Sequence, residues 1–456
     1  MTGGAAAHGI RVGAAPTRPS SLFLDSAAAE AERRAAVAAP IVSSHAGAPE
    51  HVRAAIGAAV DRAAPALGDL AARIFELAEP GFAESASVAA IRDLLACEGL
   101  DAEVGVHGLP TAFLAEAPGT SDGPTVVLLA EYDALPGVGH ACGHQLIAAA
   151  SVGAFLALAD ARRALPPGTL PGRILLMGTP AEEGGNGKEL LARAGAFDGV
   201  DAAVMAHPFG ADVADPPFIG RRIVRIVYHG VAAHASAAPW QGRNALDAAT
   251  LHYQAIGLLR QHLAPGDRIH GVFVDGGERP NVVPERAELE YYVRSHAADT
   301  LRELSARVDD VAHGIALATG TGVEVTWDPQ PFSLPIRHNA PLAARWALAQ
   351  GERGRIVRRA ADAPSHQSAS TDFGNVSVRV PGIHPVIRVA PPDVSLHTRE
   401  FAAYAGAPEA ITAVTDAAYG LATTLADVLV DDGLLAAVRA DFAAQGGVLD
   451  VEGYFA

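Results

Sequence analysis

The stretch Pro124-Thr-Val-Val-Leu-Leu-Ala130 runs directly into Glu131-Tyr-Asp-Ala-Leu-Pro-Gly-Val-Gly-His-Ala-Cys-Gly-His144. Its first seven residues have the length and the β-branched content of a strand that is buried on both faces. The glycine-rich residues after this strand predict a loop, and a helix of small residues follows from about 146 to 159. A buried strand, a loop and a helix together form the first part of a parallel α/β unit.

The pattern of strand and helix continues on both sides of this stretch. Two more buried strands are predicted at 172–178 and 202–206. Strands that alternate with helices predict an α/β fold with a mainly parallel sheet and helices on both faces. From about residue 221 the order changes to β-α-β-β-α-β within roughly 110 residues, which is typical of a ferredoxin-like α+β unit. After about residue 335 the α/β pattern returns, so the smaller unit interrupts the larger one.

The domain organisation follows from this interruption and from the length of 456 residues. A single core usually stops growing at about 250–300 residues, so two domains are expected. The larger, catalytic domain is predicted to comprise residues 49–220 and 333–435, and the inserted domain residues 221–332. Residues 1–48 are rich in Ala, Gly, Ser and Pro and predict a poorly ordered arm, and residues 436–456 a C-terminal tail.

Charge and cysteine content exclude several classes of protein. The formal net charge is −17 at pH 7, whereas a nucleic-acid partner requires a surplus of Lys and Arg. Only two cysteines occur, which excludes a disulfide framework and favours a cytoplasmic location. No apolar signal segment stands near the start and no uncharged apolar run of about 18 residues occurs, so no membrane association is expected.

Ionisable residues follow four predicted strands, and in open α/β sheets ligands bind beyond the carboxyl ends of the strands. In chain order these residues are Glu131, Asp133, His140, Cys142, His144, Glu182, Glu183, His207 and His397. Each has an ordinary structural explanation when taken alone, but several buried ionisable groups at one sheet edge require a cation or a partner. Thiolate, imidazole and carboxylate ligands suit zinc or another first-row divalent ion, including manganese. Their number exceeds the need of one four-coordinate site, which favours two ions.

The local spacing of these residues carries two further expectations. Cys142 and His144 are two residues apart, so they would both bind a metal ion from an extended loop, with Gly143 allowing the close approach. Adjacent side chains in an extended segment point to opposite sides. One member of the Glu182-Glu183 dipeptide could therefore bind a metal ion while the other faces bound water and transfers its proton.

The motifs as a set resemble the aminoacylase/carboxypeptidase family of dinuclear metallohydrolases, metallopeptidase family 20. They are most similar to the branch that hydrolyses indoleacetyl-amino acids and aminobenzoyl-glutamate. The matching segments are collinear from about residue 60 to 430. They are Glu131–Pro136, His140–His144, Pro180–Gly185, Ala206–Pro208, Gly230–Ser236, Asn244–Asp247, Pro280–Pro284, Ser370–Gly374 and His397.

The resemblance implies specific roles for these residues. The implied metal ligands are Cys142, His144, Glu183, His207 and His397. Glu182 would be the catalytic acid and base, and Asp133 would orient a ligand. Much of the family has a His-x-Asp motif after the first strand, and its His is a ligand. Here the triplet is Glu131-Tyr132-Asp133, so that role does not carry over and Glu131 is left unassigned.

The inserted domain resembles the lid and dimerisation domain of the same family. This implies a homodimer in which His234 reaches into the partner subunit's site and polarises the carbonyl, while Asn281 and Arg294 bind the substrate. The implied cofactors are two divalent ions per subunit, zinc or manganese. The implied substrate is a small acyl-amine: an N-acyl amino acid, a dipeptide or an aromatic acyl–amino acid conjugate. Lid loops such as Pro239-Trp240-Gln241 would decide among these substrates.

Four alternatives stay open at this point. A cysteine hydrolase could use Cys142 with His140 or His144, but it leaves the other histidines and Glu183 without a role. A nucleic-acid-type zinc deaminase requires a Pro-Cys-x-x-Cys motif that the sequence lacks. A metal-dependent reaction at another C–N bond, such as ring deamination, is compatible with the same fold. A non-catalytic binding protein is compatible too, although an intact Glu182 with a full ligand set argues against it.

Overall fold

The buried strand predicted at residues 124–130 lies at the centre of the main sheet. The computed structural model describes residues 20–120, 122–363 and 369–455. The strands in chain order are β1 (Ala102–Val104), β2 (Phe113–Glu116), β3 (Thr125–Ala130), β4 (Arg173–Gly178), β5 (Ala202–Val204), β6 (His207–Phe209), β7 (Gly220–His229), β8 (Arg268–Asp275), β9 (Arg286–Ser295), β10 (Gly322–Trp327), β11 (Gly382–Ile383) and β12 (Val386–Arg388).

Helices connect and cover these strands. They are α1 (Leu22–Val37), α2 (Glu50–Leu77), α3 (Ser85–Cys97), α4 (His144–Ala164), α5 (Glu182–Gly185), α6 (Gly187–Arg193), α7 (Ala245–Leu259), α8 (Ala298–Thr319), α9 (Ala340–Glu352), α10 (Phe373–Ser377), α11 (Arg399–Ala405), α12 (Ala410–Val430) and α13 (Asp432–Ala444). The helix predicted over 146–159 lies within α4.

The main sheet has the strand order β1-β2-β4-β3-β5-β11. Strands β4, β3, β5 and β11 are parallel, and β1 and β2 add an antiparallel edge. Side chains of β3 alternate between two cores: Val126 and Leu128 pack with α2, α4 and α12, whereas Val127 and Leu129 pack with α6 and α10. The predicted α/β fold with helices on both faces of a mainly parallel sheet is confirmed.

Two helices of the core are long and apolar enough to cross a membrane by length and composition alone. They are α4 and α12, and 94% of the apolar window of each is buried inside the protein. Both pack against α2 and the sheet as part of one continuous core. Their apolar surface is therefore used in packing the catalytic domain.

The inserted unit forms a separate four-stranded antiparallel sheet in the order β10-β7-β9-β8. Helices α7 and α8 pack on this sheet through their own apolar core, which includes Ala248, Ile256 and Val308. The chain order is β7-α7-β8-β9-α8-β10, the ferredoxin-like arrangement predicted from the sequence. This unit is called the lid below.

The described residues of the predicted arm and tail include helices and contacts with the rest of the chain. Within the predicted arm, α1 forms a helix, and Arg34 at its end donates hydrogen bonds to the carbonyls of Ala361 and Ala363 at 2.8 and 2.9 Å. Residues 1–19 lie outside the described part. The predicted tail begins inside α13, and further on the Leu449 amide donates to the Val378 carbonyl at 2.9 Å. Alanine-rich composition was interpreted as disorder, but alanine has the highest helix propensity.

Candidate metal centre and active site

The end of β3 places the first group of reactive side chains. Glu131 and Asp133 directly follow the strand, and both are buried. The loop returns at Gly143, where φ is +83° and an added Cβ would lie 2.5 Å from Cγ of Pro208. This close approach confines the position to glycine. The spacing predicted that His144 lies in an extended loop, but it is the first residue of α4.

Six predicted residues from four segments converge beyond the strand ends. Their possible ligand atoms form three overlapping groups, and within each group all atoms lie within 4.8 Å of one another. The groups are Cys142, His144 and His207; Cys142, Glu183 and His397; and His144, Glu182 and Glu183. This set is called the metal cluster below. It contains every residue that the resemblance implied as a ligand, together with the implied acid and base.

Hydrogen bonds orient two histidines of the metal cluster for metal binding. Nδ1 of His144 lies 2.8 Å from Oδ1 of Asp133, whose Oδ2 accepts the Glu183 amide at 2.9 Å. Nδ1 of His207 lies 2.7 Å from the Pro208 carbonyl, which can only accept. Both rings therefore carry a proton on Nδ1 and leave Nε2 free as a ligand, as is usual for metal-bound histidine.

The distances within the metal cluster fit a divalent ion. Nε2 of His144 is buried and has no hydrogen-bond partner among the described residues. Nε2 of His207 lies 3.4 Å from Sγ of Cys142, and Nε2 of His397 lies 3.2 Å from Oε1 of Glu183. Atoms that share one ion at bond lengths of about 2.0–2.3 Å have separations of this size. His397 also holds a positive φ of +62°, a backbone strain typical of functional positions.

Burial controls the protonation of the cluster. Burial raises the pKa of Glu182 well above its ordinary value, and the negative charges of Glu131 and Glu183 raise it further. Burial also raises the pKa of the Cys142 thiol, which needs a nearby cation to ionise. Burial and the neighbouring His144 lower the pKa of His207 to about 4, so its ring is neutral near pH 7 and able to bind a metal ion.

Two further geometric expectations for the site were wrong. The segment around Glu182 is not extended: it forms the single turn α5, in which Glu183 has φ −69° and ψ +80°. The two carboxylates do not point to opposite sides: one oxygen of each lies within 4.8 Å of the other and of a ring nitrogen of His144. Glu183 also contacts His397 at 3.2 Å, and Oε2 of Glu182 lies 3.9 Å from Nε2 of His144. The second difference concerns β6, which carries His207 and pairs with β12 in a separate two-stranded parallel sheet. The cluster therefore joins the ends of two sheets.

A buried ion-pair cluster that the sequence reasoning missed lies next to the metal cluster. The Lys188 ammonium contacts Glu131 and lies 2.7 Å from Oδ1 of Asp372, and all three side chains are buried. Burial lowers the pKa of Lys188, but the charges of Asp372 and Glu131 outweigh this effect and raise it above its ordinary value. Lys188 is the only lysine among the 34 Lys and Arg residues of the chain, a signal that could have singled it out.

A cavity of about 580 Å³ opens between the metal cluster and the lid. The lid contributes Arg221, Tyr292 and Arg294 to its lining, of which only Arg294 was predicted. Neither His234 nor Asn281 lines this cavity. They lie together on the exposed surface of the lid, where the Asn281 carbonyl accepts the Ala235 amide at 3.0 Å.

His140 does not join the metal cluster. Its Nε2 lies 3.0 Å from the Ile74 carbonyl, and its ring stacks on Phe75 with centroids 6.1 Å apart. This places it in the packing between α2 and the loop. A cysteine hydrolase that pairs Cys142 with His140 therefore has no support in the geometry.

Comparisons with known proteins agree with this arrangement. The peptidase dimerisation domain of the M20 family matches residues 220–318. The chain is 38% identical over 394 residues to the Xaa-Arg dipeptidase of Mus musculus, covering 84% of this chain and 90% of the relative. It is 33% identical over 282 residues to a p-aminobenzoyl-glutamate hydrolase chain of Escherichia coli (strain K12), covering 57% of each. Among solved structures, a dinuclear metal-binding M20 peptidase from Bacillus subtilis superposes with a TM-score of 0.64 at 22% identity, covering 81% of this chain and 99% of that one.

The fold and the site define a metal-dependent hydrolase that cleaves amide bonds. The chain belongs to the M20 family of peptidases, and its lid is the dimerisation domain of that family. The resemblance inferred from the sequence motifs is thereby confirmed.

Proposed function

We propose that the chain hydrolyses the amide bond of a small N-acyl amino acid, a dipeptide or an aromatic acyl–amino acid conjugate, using two divalent ions, zinc or manganese. One observation carries this proposal. The buried Nε2 of His144 has no hydrogen-bond partner among the described residues, yet it faces the carboxylates of Glu131 and Glu182 at 3.5 and 3.9 Å. A divalent cation placed between this imidazole nitrogen and the two carboxylates would satisfy all three groups.

The residues that would hold the ions are Cys142, His144, Glu183, His207 and His397. Sulfur, nitrogen and oxygen ligands in one cluster suit zinc and also accept manganese. A pair of ions at such a site supplies water of lowered pKa and polarises a carbonyl group. Asp133 and the Pro208 carbonyl keep the two imidazole rings oriented towards the ions.

Glu182 is the proposed acid and base. It lines the cavity next to the metal cluster, and burial together with Glu131 and Glu183 raises its pKa. A carboxylate of raised pKa is strong enough as a base to remove a proton from the attacking water and acidic enough afterwards to release it. Glu182 then protonates the departing nitrogen, which would otherwise be a poor leaving group.

Three relatives support this range of substrates by their names. Besides the Xaa-Arg dipeptidase and the p-aminobenzoyl-glutamate hydrolase, the indole-3-acetyl-aspartic acid hydrolase of Enterobacter agglomerans is 34% identical over 197 residues, 42% of this chain and 44% of its own. All three names describe an amide whose amine part is an amino acid. Arg294 at the lid side of the cavity is the proposed partner of the substrate's carboxylate.

A substrate panel with metal control tests the proposed reaction. Purified protein is expected to contain about two zinc or manganese ions per subunit. It should release free amine from members of a panel of acyl-amino acids and dipeptides. Chelation should abolish this release and added metal should restore it. Activity that survives complete chelation would contradict the metal mechanism and favour a cysteine nucleophile instead.

We further propose a homodimer in which the lid of one subunit completes the site of the other. His234 and Asn281 do not line the cavity of their own chain, and both are exposed on the lid. An exposed pair on a dimerisation domain can reach the site of a second copy across a two-fold axis. There the His234 ring would stabilise the developing charge on the carbonyl oxygen. We expect this dimer in the cytoplasm, since both cysteines are free.

Complementation between two inactive variants tests this arrangement. His234→Ala and Glu182→Gln homodimers should each be nearly inactive. When the two chains are co-expressed, half of the subunits pair as heterodimers, and one site in each heterodimer has both residues intact. Activity of about a quarter of the wild-type value is therefore expected for a two-fold dimer. If the mixture is as inactive as its parents while heterodimers form, His234 does not act across subunits.

A further inference from the structure

A second cavity adjoins the cavity that contains Glu182 and the metal cluster. Its volume is about 370 Å³, and small-molecule sites usually measure about 300–1,000 Å³. The residues that line both cavities are Phe209, Phe218, Ala369 and Ser395. The described residues that line the second cavity include none from the lid, so it lies within the catalytic domain. It is called the side pocket below.

The wall between the two cavities is aromatic and close to a proposed metal ligand. Phe209 follows His207 by two residues on β6, and the ring centroid of Phe218 lies 6.5 Å from that of His207. Most other residues of the side pocket are alanine, valine, leucine or proline. The charged residues among those described are Asp25 and Asp393. The side pocket therefore suits an apolar group, whereas a carboxylate would face two like charges.

Helix α1 forms one wall of the side pocket. It contributes Leu24 and Ala28, which are four residues apart and lie on one face of the helix. Polar contacts hold the other half of α1: Arg34 donates to the two backbone carbonyls described above, and Glu32 pairs with Arg358 at 2.9 Å. These contacts fix the first half of the helix over the side pocket.

The first half of α1 has apolar surface that packing within the chain does not use. Leu24 lines the side pocket and is still 48% exposed, and Ala28 is exposed as well. Among the described residues of this helix, Ala31 is the only buried one. Apolar side chains that remain exposed in an apolar pocket indicate that a further apolar group binds there. Because the side pocket adjoins the active-site cavity, this group can be a part of the substrate.

We propose that the side pocket binds the acyl half of the substrate, and that Leu24 and Ala28 of α1 determine which acyl groups are accepted. This inference rests on the proposed amide hydrolysis. Arg294, the proposed partner of the substrate's carboxylate, belongs to the lid, so the departing amino acid lies on the lid side of the metal cluster. The acyl half then extends away from the lid, towards the side pocket. The preferred acyl group is uncharged, apolar and longer than acetyl, since an acetyl group is too short to pass Phe218.

A series of acyl groups on one amino acid tests the inference, with the amino acid that the wild-type enzyme releases best. From acetyl through butanoyl to hexanoyl, kcat/KM is expected to rise by on the order of 10²-fold, about fourfold for each buried methylene. Adipoyl has the same length as hexanoyl but ends in a carboxylate. It should lose most of this gain, because Asp25 and Asp393 repel it.

Two variants of α1 change the shape of the side pocket. Ala28→Leu adds bulk inside it, so the ratio of kcat/KM for hexanoyl to that for acetyl should fall to within about fivefold of unity. Leu24→Ala removes part of the wall and should lower the same ratio by about threefold to tenfold. Both positions are exposed on a helix that tolerates alanine and leucine equally well.

Ala29→Leu is the matched control. Ala29 is the next residue of α1, is exposed, and is not among the residues that line the side pocket. This variant should keep the wild-type ratio of hexanoyl to acetyl. If Ala29→Leu and Ala28→Leu lower the ratio equally, α1 acts through folding and not as a wall of the side pocket, and the inference is wrong.

The acyl series distinguishes this inference from the proposed function. Equal turnover of the acetyl and hexanoyl compounds, or of the hexanoyl and adipoyl compounds, would overturn the role of the side pocket while amide hydrolysis stands. If no acyl-amino acid or dipeptide releases amine from the metal-loaded enzyme, the proposed function itself fails.

Discussion

The Glu182→Gln variant is expected to hydrolyse its amide substrate with a kcat lowered by about 10²–10⁴-fold, the usual contribution of a general acid and base. Glutamine preserves the shape of the side chain but cannot accept and return a proton. Metal content should stay near the wild-type value, because Glu182 is proposed as the proton carrier and the substitution leaves the five proposed ligands intact. Steady-state kinetics and metal analysis on the same preparation measure both effects.

The neighbouring carboxylate provides the matched control. Glu183 lies 3.2 Å from His397 and shares a ligand group with Cys142. Glu183→Gln should therefore lose metal as well as activity, and excess zinc or manganese should restore part of the activity. If Glu182→Gln retains full activity, Glu182 is not the acid and base. If it loses metal as Glu183→Gln does, the two roles have been assigned to the wrong residues.

Replacement of Lys188 by Met is expected to lower the free energy of unfolding by about 3–5 kcal/mol, the cost of leaving buried charges without a partner. Lys188 is the ammonium that separates Glu131 from Asp372, and none of the three side chains has exposed surface. Its backbone amide also donates to Oδ2 of Asp372 at 2.9 Å. Denaturant unfolding of the metal-free protein measures this effect without a contribution from bound ions.

Two control variants define what Lys188 contributes. Lys188→Arg keeps the charge, but a planar guanidinium does not fit the space of a compact ammonium, so this variant should also be destabilised. Arg439→Met removes an exposed ion pair with Asp201 and should change stability by less than about 1 kcal/mol. If Lys188→Met unfolds with the wild-type free energy, the buried cluster does not depend on its cation.

Residue patterns within single segments predicted the buried strands and the residues that form the metal cluster. The strand before Glu131 is recognisable because five consecutive residues, Val126 to Ala130, have no exposed surface and are therefore all apolar. The carboxyl ends of parallel strands meet at one edge of the sheet. Residues that follow different strands could therefore be predicted to lie together, although they are distant in the sequence. The paired glutamates and the Cys-Gly-His segment predicted metal binding because carboxylates, thiolates and imidazoles are the side chains that bind divalent ions.

Other features depend on contacts between segments that no local pattern relates. Lys188 meets Glu131 from 57 positions away and Asp372 from 184 positions away, so its partners could not be read from its neighbours. Helix α1 was assigned to a poorly ordered arm because an alanine-rich sequence is compatible with a helix and with disorder. The contact of Arg34 with the Ala361 carbonyl, which holds this helix against the catalytic domain, joins residues far apart in the sequence. The placement of β6 in its own sheet likewise required its partner β12.

The amino-acid sequence alone therefore determined the fold class, the lid and the identity of the groups that would bind metal, because strand periodicity and ligand chemistry are properties of single segments. Only the tertiary structure decided which other residues line the cavity. Arg221 resembles an ordinary strand arginine in the sequence, and only the strand register places it opposite Arg294, which the family resemblance had implied, at the lining of the cavity. The register depends on which strands pair, and the paired residues are far apart in the sequence, so a single segment does not determine it.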